Sequence, residues 1–151
     1  MQFSLSAAAF VALAGLVGAV VGETHIVHFD NRCNVTGTPQ LIRGGQVLSN
    51  GSDYTSPGPL VSAIAYLQTG HCGFNGENCT LIETTLINGG SGSNTDISLI
   101  SPHKFSVTSG FGYYNGCDGA GADCTDQECP EQYHPVPCSA DNVNLAITFC
   151  L

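Results

Sequence analysis

The sequence predicts an all-β sandwich held by disulfides, and three observations predict it. Short runs with strand-like alternation recur between Gly, Pro and Asn turn signals, and past the N-terminal apolar segment no long stretch carries a helical period. The chain has eight cysteines in 151 residues. An even count in a small exported chain reads as four disulfides. The chain closes on Val143, Leu145, Ile147 and Phe149, the alternation of a strand with one buried face. No internal repeat or linker divides it, so one domain is expected.

The N-terminal segment is a different object. Residues 3–21 form an apolar run without Pro or charge, ending in small residues just before Glu23. That layout predicts a signal peptide over residues 1–22 and a domain over residues 23–151, with a retained anchor as the alternative. The expected location is therefore extracellular or cell wall. Arg32, Arg43 and Lys104 are the only bases against 12 acids, for a net charge of -9. This balance argues against nucleic acid, which needs Lys and Arg to displace counterions, and against an anionic membrane surface. Charged residues make up only 10%, so Ser, Thr, Asn and Gly dominate the polar surface. Sequons at Asn34, Asn50 and Asn78 fit a glycoprotein. A monomer is expected.

Taken in order, Thr24 to Asp30 alternates, with His25, Val27 and Phe29 on one face and Ile26 and His28 on the other. Leu41 to Arg43 and Gln46 to Leu48 flank a Gly44-Gly45 turn, and Asn50-Gly51 predicts a hairpin. After the break at Ser56-Pro57-Gly58-Pro59, Leu60 to Leu67 reads as strand or as two turns of helix; its length and flanks favour strand. Gly70 to Cys79 is a loop with a cysteine near each end. Thr80 to Ile87 is a strand, Asn88 to Asn94 a loop, and Asp96 to Ile100 and Phe105 to Thr108 are short strands. The segment Tyr113 to Cys150 holds five cysteines and the closing strand, Asn142 to Cys150.

Candidate chemistry is sparse. His25, His28, His71, His103 and His134 read as separate side chains, since His25 and His28 lie on opposite faces of one strand. Cleavage after Thr24 is the variant that would make His25 a copper-chelating N-terminus. Asp118 to Asp123 has the oxygen and flexibility of a calcium loop but not its alternating ligands or closing Glu, so a solvated turn is expected. No metal and no cofactor is expected. Glu83 is the conspicuous acid: it sits in an apolar strand on the face of Leu81, Thr85 and Ile87, where an unpaired charge is costly. It is expected to line a cleft or to pair with Arg32 or Arg43. If the next strand is adjacent, Glu83 and Asp96 converge, and two carboxylates at a groove are what glycoside hydrolysis uses. A salt bridge for Glu83 and a turn cap for Asp96 are the structural alternative. No phosphate loop and no nucleophile elbow is present.

The N-terminal strand ending in Asn31-Arg32-Cys33, the pair TLIETTLI and TDISLIS, Phe105-Ser106-Val107, Gly116-Cys117, Cys129-Pro130 and the closing block ending in Thr-Phe-Cys together resemble the thaumatin-like family. The block GFGYYNGCDGAGADC is similar to one in short secreted proteins of mushroom-forming fungi. The resemblance implies a flattened β-sandwich with the pairing Cys33–Cys150, Cys72–Cys79, Cys117–Cys138 and Cys124–Cys129. It also implies that the family's second, disulfide-rich domain is absent, with only Thr125 to Glu128 in its place. Family function is attached to an acidic cleft, and Glu83 and Asp96 match a cleft Glu and a cleft Asp. Thr69 and Ser101 stand where a cleft Arg and a further Asp would be.

The resemblance thus implies binding of cell-wall β-glucan, in a defence or wall-remodelling setting, with weak or no hydrolysis. Tyr66, Phe111, Tyr113 and Tyr114 are the expected flat faces for sugar rings. Two alternatives stand beside this reading. One is an endo-β-1,3-glucanase using Glu83 and Asp96; the other is a non-catalytic interaction or wall-structural protein.

Overall fold

The computed structural model describes residues 22–34, 36–129 and 134–151. The predicted leader, residues 1–22, lies outside them except for Gly22. Among the described residues, eleven strands run in chain order: β1 (His25–Asn31), β2 (Thr38–Arg43), β3 (Gln46–Ser49), β4 (Tyr54–Ser56), β5 (Leu60–Gln68), β6 (Leu81–Leu86), β7 (Ser93–Ser98), β8 (Ser109–Tyr114), β9 (Gly121–Cys124), β10 (Val136–Cys138) and β11 (Asn144–Phe149). They form a five-stranded sheet, β4-β1-β11-β8-β9, and a six-stranded sheet, β10-β7-β6-β5-β2-β3. The described residues contain no helix.

Strand alternation builds the core between the two sheets. Val27 and Phe29 from β1, Leu145, Ile147 and Phe149 from β11, and Phe111 and Tyr113 from β8 face inward from one sheet. Leu41, Ala63, Ala65, Leu67, Ile82, Leu86 and Ile97 face them from the other. Phe29 and Phe149 stack at 6.3 Å between ring centroids. A smaller apolar cluster of Ile42, Tyr66, Cys79 and Leu81 sits on the outer side of the six-stranded sheet. There the Tyr66 hydroxyl donates to the Phe74 carbonyl at 2.9 Å, tying the loop between β5 and β6 over it.

β1 and β11 pair in parallel, Val27 opposite Leu145 through Asn31 opposite Phe149. Parallel neighbours need a long crossover, and here almost the whole chain is that crossover. Cys33–Cys150 clamps the same end of the pair across a sequence separation of 117. A loop of that length stabilises by about 4–5 kcal/mol in the chain-entropy account. The other bridges are Cys72–Cys79, Cys117–Cys138 and Cys124–Cys129, the implied pairing throughout.

Four local expectations need correction. Asn50-Gly51 does not close a hairpin, because β3 and β4 belong to different sheets. Phe105 to Thr108 is not a strand. Its polar groups bond to Thr80 instead, whose Oγ1 accepts from the Ser106 N–H at 3.0 Å and donates to the Val107 carbonyl at 3.1 Å. β7 begins at Ser93, so Asp96 stands inside a strand rather than opening one. β9 carries Gly121 and is a strand by pairing with β8, not by its own composition.

Candidate functional site

The outer face of the six-stranded sheet carries the site, and a β-bulge shapes it. Pairing of β5 with β6 slips between Leu60, opposite Leu86, and Ala63, opposite Thr84. The extra residue leaves Ser62 at φ 54, in the left-handed region. Its N–H, removed from the ladder, donates to Thr85 Oγ1 at 3.0 Å. Beside the bulge lies an open recess of about 360 Å³, lined chiefly by Ser62, Ile64, Glu83, Thr85, Asn94 and Asp96. Gly92 closes one end at φ +74, where a Cβ would meet the Cys138 carbonyl at 2.6 Å. Only glycine fits that approach.

Register brings the two expected carboxylates together. Ile64 stands opposite Glu83, and Glu83 opposite Asp96. Directly opposed residues have Cβ atoms ~4.5–5.5 Å apart. Glu83 is exposed, on the outward set with Leu81 and Thr85, while Ile82, Thr84 and Leu86 take the core side. This resolves the anomaly of an acid in an apolar strand: Leu81 is covered by the β5–β6 loop and Glu83 is not. Neither expected ion pair forms. Arg32 bonds Asp30, its Nη2 lying 2.6 Å from Oδ2, and Arg43 donates to the Pro59 carbonyl at 3.4 Å.

Asp96 is half-buried, and burial together with the charge of Glu83 raises its pKa to about 6. No described residue donates a hydrogen bond to the side-chain carboxylate of Glu83 or Asp96. This is unusual among the acids that are not fully exposed. Glu23 accepts from the Asn88 N–H at 2.8 Å, Asp30 from Arg32 at 2.7 Å and Glu77 from the Asn75 N–H at 2.9 Å. Asp96 has no such donor.

Beneath the pair the sheet is locked. Thr84 and Thr95, inward neighbours of Glu83 and Asp96, share a buried hydroxyl bond of 2.7 Å. The Tyr113 hydroxyl donates to the Val136 carbonyl at 2.8 Å and lies 3.0 Å from Thr95 Oγ1. Burial raises the Tyr113 phenol pKa, so it stays a donor.

The expected sugar platform is mostly not at the surface. Tyr66, Phe111 and Tyr113 are 2%, 5% and 3% exposed, with their faces packed inside. The β5–β6 loop covers Tyr66, and inter-sheet packing takes Phe111 and Tyr113. Tyr114 keeps a partly exposed ring, on the five-stranded sheet rather than at the recess. Burial, with the nearby Asp53 charge, raises its pKa. Thr85 lines the recess from the face it shares with Glu83, Asn94 joins because β7 starts at Ser93 and alternation puts it on the side of Asp96, and Ser62 enters through the bulge, which no local pattern signals.

The other marked groups are dispersed. His25 is buried, with its ring nitrogens 2.7 Å from the Val143 carbonyl and 2.9 Å from Glu23 Oε1. His28 Nδ1 lies 2.7 Å from Asp53, and His103 Nδ1 3.0 Å from the Gly76 carbonyl. Among the described residues no three His, Cys, Asp or Glu side chains gather as metal ligands. Asp118 accepts from the N–H groups of Asn115 and Gly116, so its turn is satisfied from within. Asn34, Asn50 and Asn78 are all exposed.

No family model matches the chain, and no curated protein does. Solved structures do. The thaumatin-like xylanase inhibitor TLXI superposes with a TM-score of 0.57 at 20% identity, over 84% of this chain and 99% of that one. The protein elicitor MoHrip2 from Magnaporthe oryzae gives 0.47 at 12% identity, over 86% and 100%. The first likeness establishes a thaumatin-like fold.

Proposed function

We propose that this thaumatin-like protein is an extracellular binder of cell-wall polysaccharide, β-glucan in the first instance, and that the chain crosses the recess over β5, β6 and β7. The observation that carries the reading is the recess itself. A bulge opens it, Gly92 closes one end, and Ser62, Thr85 and Asn94 in one row, Glu83 and Asp96 in the next, offer hydroxyl, amide and carboxylate groups across the strands. Sugar hydroxyls both donate and accept, so such a row suits them. Four disulfides and the leader-like N-terminus support the extracellular setting, where a defence or wall-remodelling role is part of the proposal. Pull-down on insoluble β-1,3-glucan tests it. Retention by wild type and loss in Thr85→Val/Asn94→Ala supports the reading. No retention leaves a protein-facing role, such as the inhibition named for TLXI, as the better account.

One observation favours hydrolysis as a second reading. Asp96, with its pKa raised to about 6 by burial and the charge of Glu83, stands directly opposite that second carboxylate at an open recess. Reducing-sugar release from laminarin checks it: release that is unchanged in Glu83→Gln sinks the assignment.

A further inference from the structure

We infer that the recess selects a polysaccharide carrying protonated amino groups, with a 2-amino-2-deoxy sugar unit seated across Glu83 and Asp96. This rests on the reading of the recess as a glycan site and names the chemistry of the glycan.

The argument starts from what the pair lacks. Glu83 and Asp96 are direct cross-strand neighbours on the wall of an open recess, and neither takes a donor from the described residues. The chain's three bases lie elsewhere. Arg32 is on Asp30, Arg43 is on the Pro59 carbonyl, and Lys104 lines a separate recess with His103 and Phe105. Among the described residues the groups facing Asp96 are few: Glu83 from β6 and, through the sheet, the Tyr113 phenol from β8. β5 brings only Ser62, Ala63 and Ile64 to the recess, and His134 precedes β10 on the far side of β7. Two opposed carboxylates repel, and partial burial sharpens the repulsion.

A neutral sugar hydroxyl donates to one carboxylate and leaves both charges in place. An ammonium supplies three donors and a positive charge at once, which answers both deficits. The rest of the lining is hydroxyl and amide, suited to the sugar that bears the amine. A Lys or Arg side chain of a protein offers the same charge. However, protein interfaces are anchored on aromatic and apolar side chains, and the exposed Phe74 and Ile100 are not part of this recess.

The test titrates the whole protein with a glucosamine oligomer, its N-acetylated counterpart, a β-1,3-gluco-oligosaccharide of equal length and a Lys-rich peptide. The amino oligomer is expected to bind about tenfold or more tighter than the acetylated one, a gap of ~1.4 kcal/mol. That advantage is expected to vanish in Glu83→Gln/Asp96→Asn and to shrink with added salt. Equal affinity for the two oligomers, or an advantage that survives the double variant, overturns the inference. If the amino and acetylated oligomers bind alike while the gluco-oligosaccharide binds and Thr85→Val/Asn94→Ala abolishes its binding, the glycan reading stands while this one fails. If no saccharide binds, both fail. A variant-sensitive preference for the peptide over the amino oligomer overturns the inference in favour of a protein partner.

Discussion

Two carboxylates of this chain each have a titratable neighbour, and they are treated oppositely. Glu23, ahead of β1, has the buried His25 ring at 2.9 Å and the Asn88 N–H at 2.8 Å. The hydrogen bond to His25 is the main cause of its lowered pKa. Asp96, in the middle of β7, has no donor and faces a second carboxylate, and its pKa rises. The first arrangement ties the start of β1 to the Val143 carbonyl and the loop after β6, and it is structural. The second leaves charge unanswered at an open surface, at a cost in stability that a bound ligand would recover. Satisfied groups build the fold, and the accessible pair without a protein donor is where the proposed ligand would sit.

The contrast can be broken from the structural end first. His25→Ala removes a fully buried side chain and leaves the Val143 carbonyl without its partner. Chemical denaturation is expected to show a loss of ~2–4 kcal/mol, the range for deleting a buried, hydrogen-bonded side chain. Thr95→Val removes the hydroxyl shared with Thr84 and Tyr113 beneath the recess. The expected loss is smaller, about 1–3 kcal/mol, with an unchanged denaturant slope.

Asp96→Asn should act in the other direction. The folded protein holds the Asp96 proton up to about 6, against 3.8 for the ordinary group. The folded state therefore binds more protons than the unfolded chain between these values, and stability falls as pH rises through them. At neutral pH the full penalty is present. Screening at a half-exposed group reduces it, so Asn is expected to gain roughly 1 kcal/mol. The gain should vanish below pH 3.8, where both states are protonated. Glu23 has the opposite sign: its contribution is complete above 4.5, and is lost as pH falls through its lowered folded value. Thermal melts of wild type and Asp96→Asn across this range separate the two slopes.

The smallest effect belongs to Glu83→Gln. Glu83 is exposed and unpaired, so stability should change by less than ~0.5 kcal/mol. The Asp96 titration, followed by carboxyl-carbon NMR, should nevertheless move down from about 6 as the neighbouring charge disappears. An unmoved titration would mean that burial alone raises it.

Much of the fold was legible because alternation reports which residues share a face. His25, Val27 and Phe29 point inward as their period requires, and so do Val143, Leu145, Ile147 and Phe149. The acidic pair was legible as a conditional, since Glu83 and Asp96 meet only if β6 and β7 are neighbours in the right register. The aromatic platform failed for the complementary reason. Periodicity sorts residues onto two faces but does not say what covers each face, and the β5–β6 loop covers Tyr66 on the outer one. β9 was invisible because its strand character comes from pairing with β8 rather than from its residues.

By itself, then, the sequence determined the all-β class, the alternation of the core strands and a charge balance hostile to polyanions. These depend on side-chain chemistry and spacing along one segment. Tertiary structure decided which strands lie side by side, that the bulge at Ser62 opens a recess, and that Asp96 stands against Glu83 without a donor. Those are relations between segments far apart in the chain, and no local pattern encodes the register or the burial that creates them.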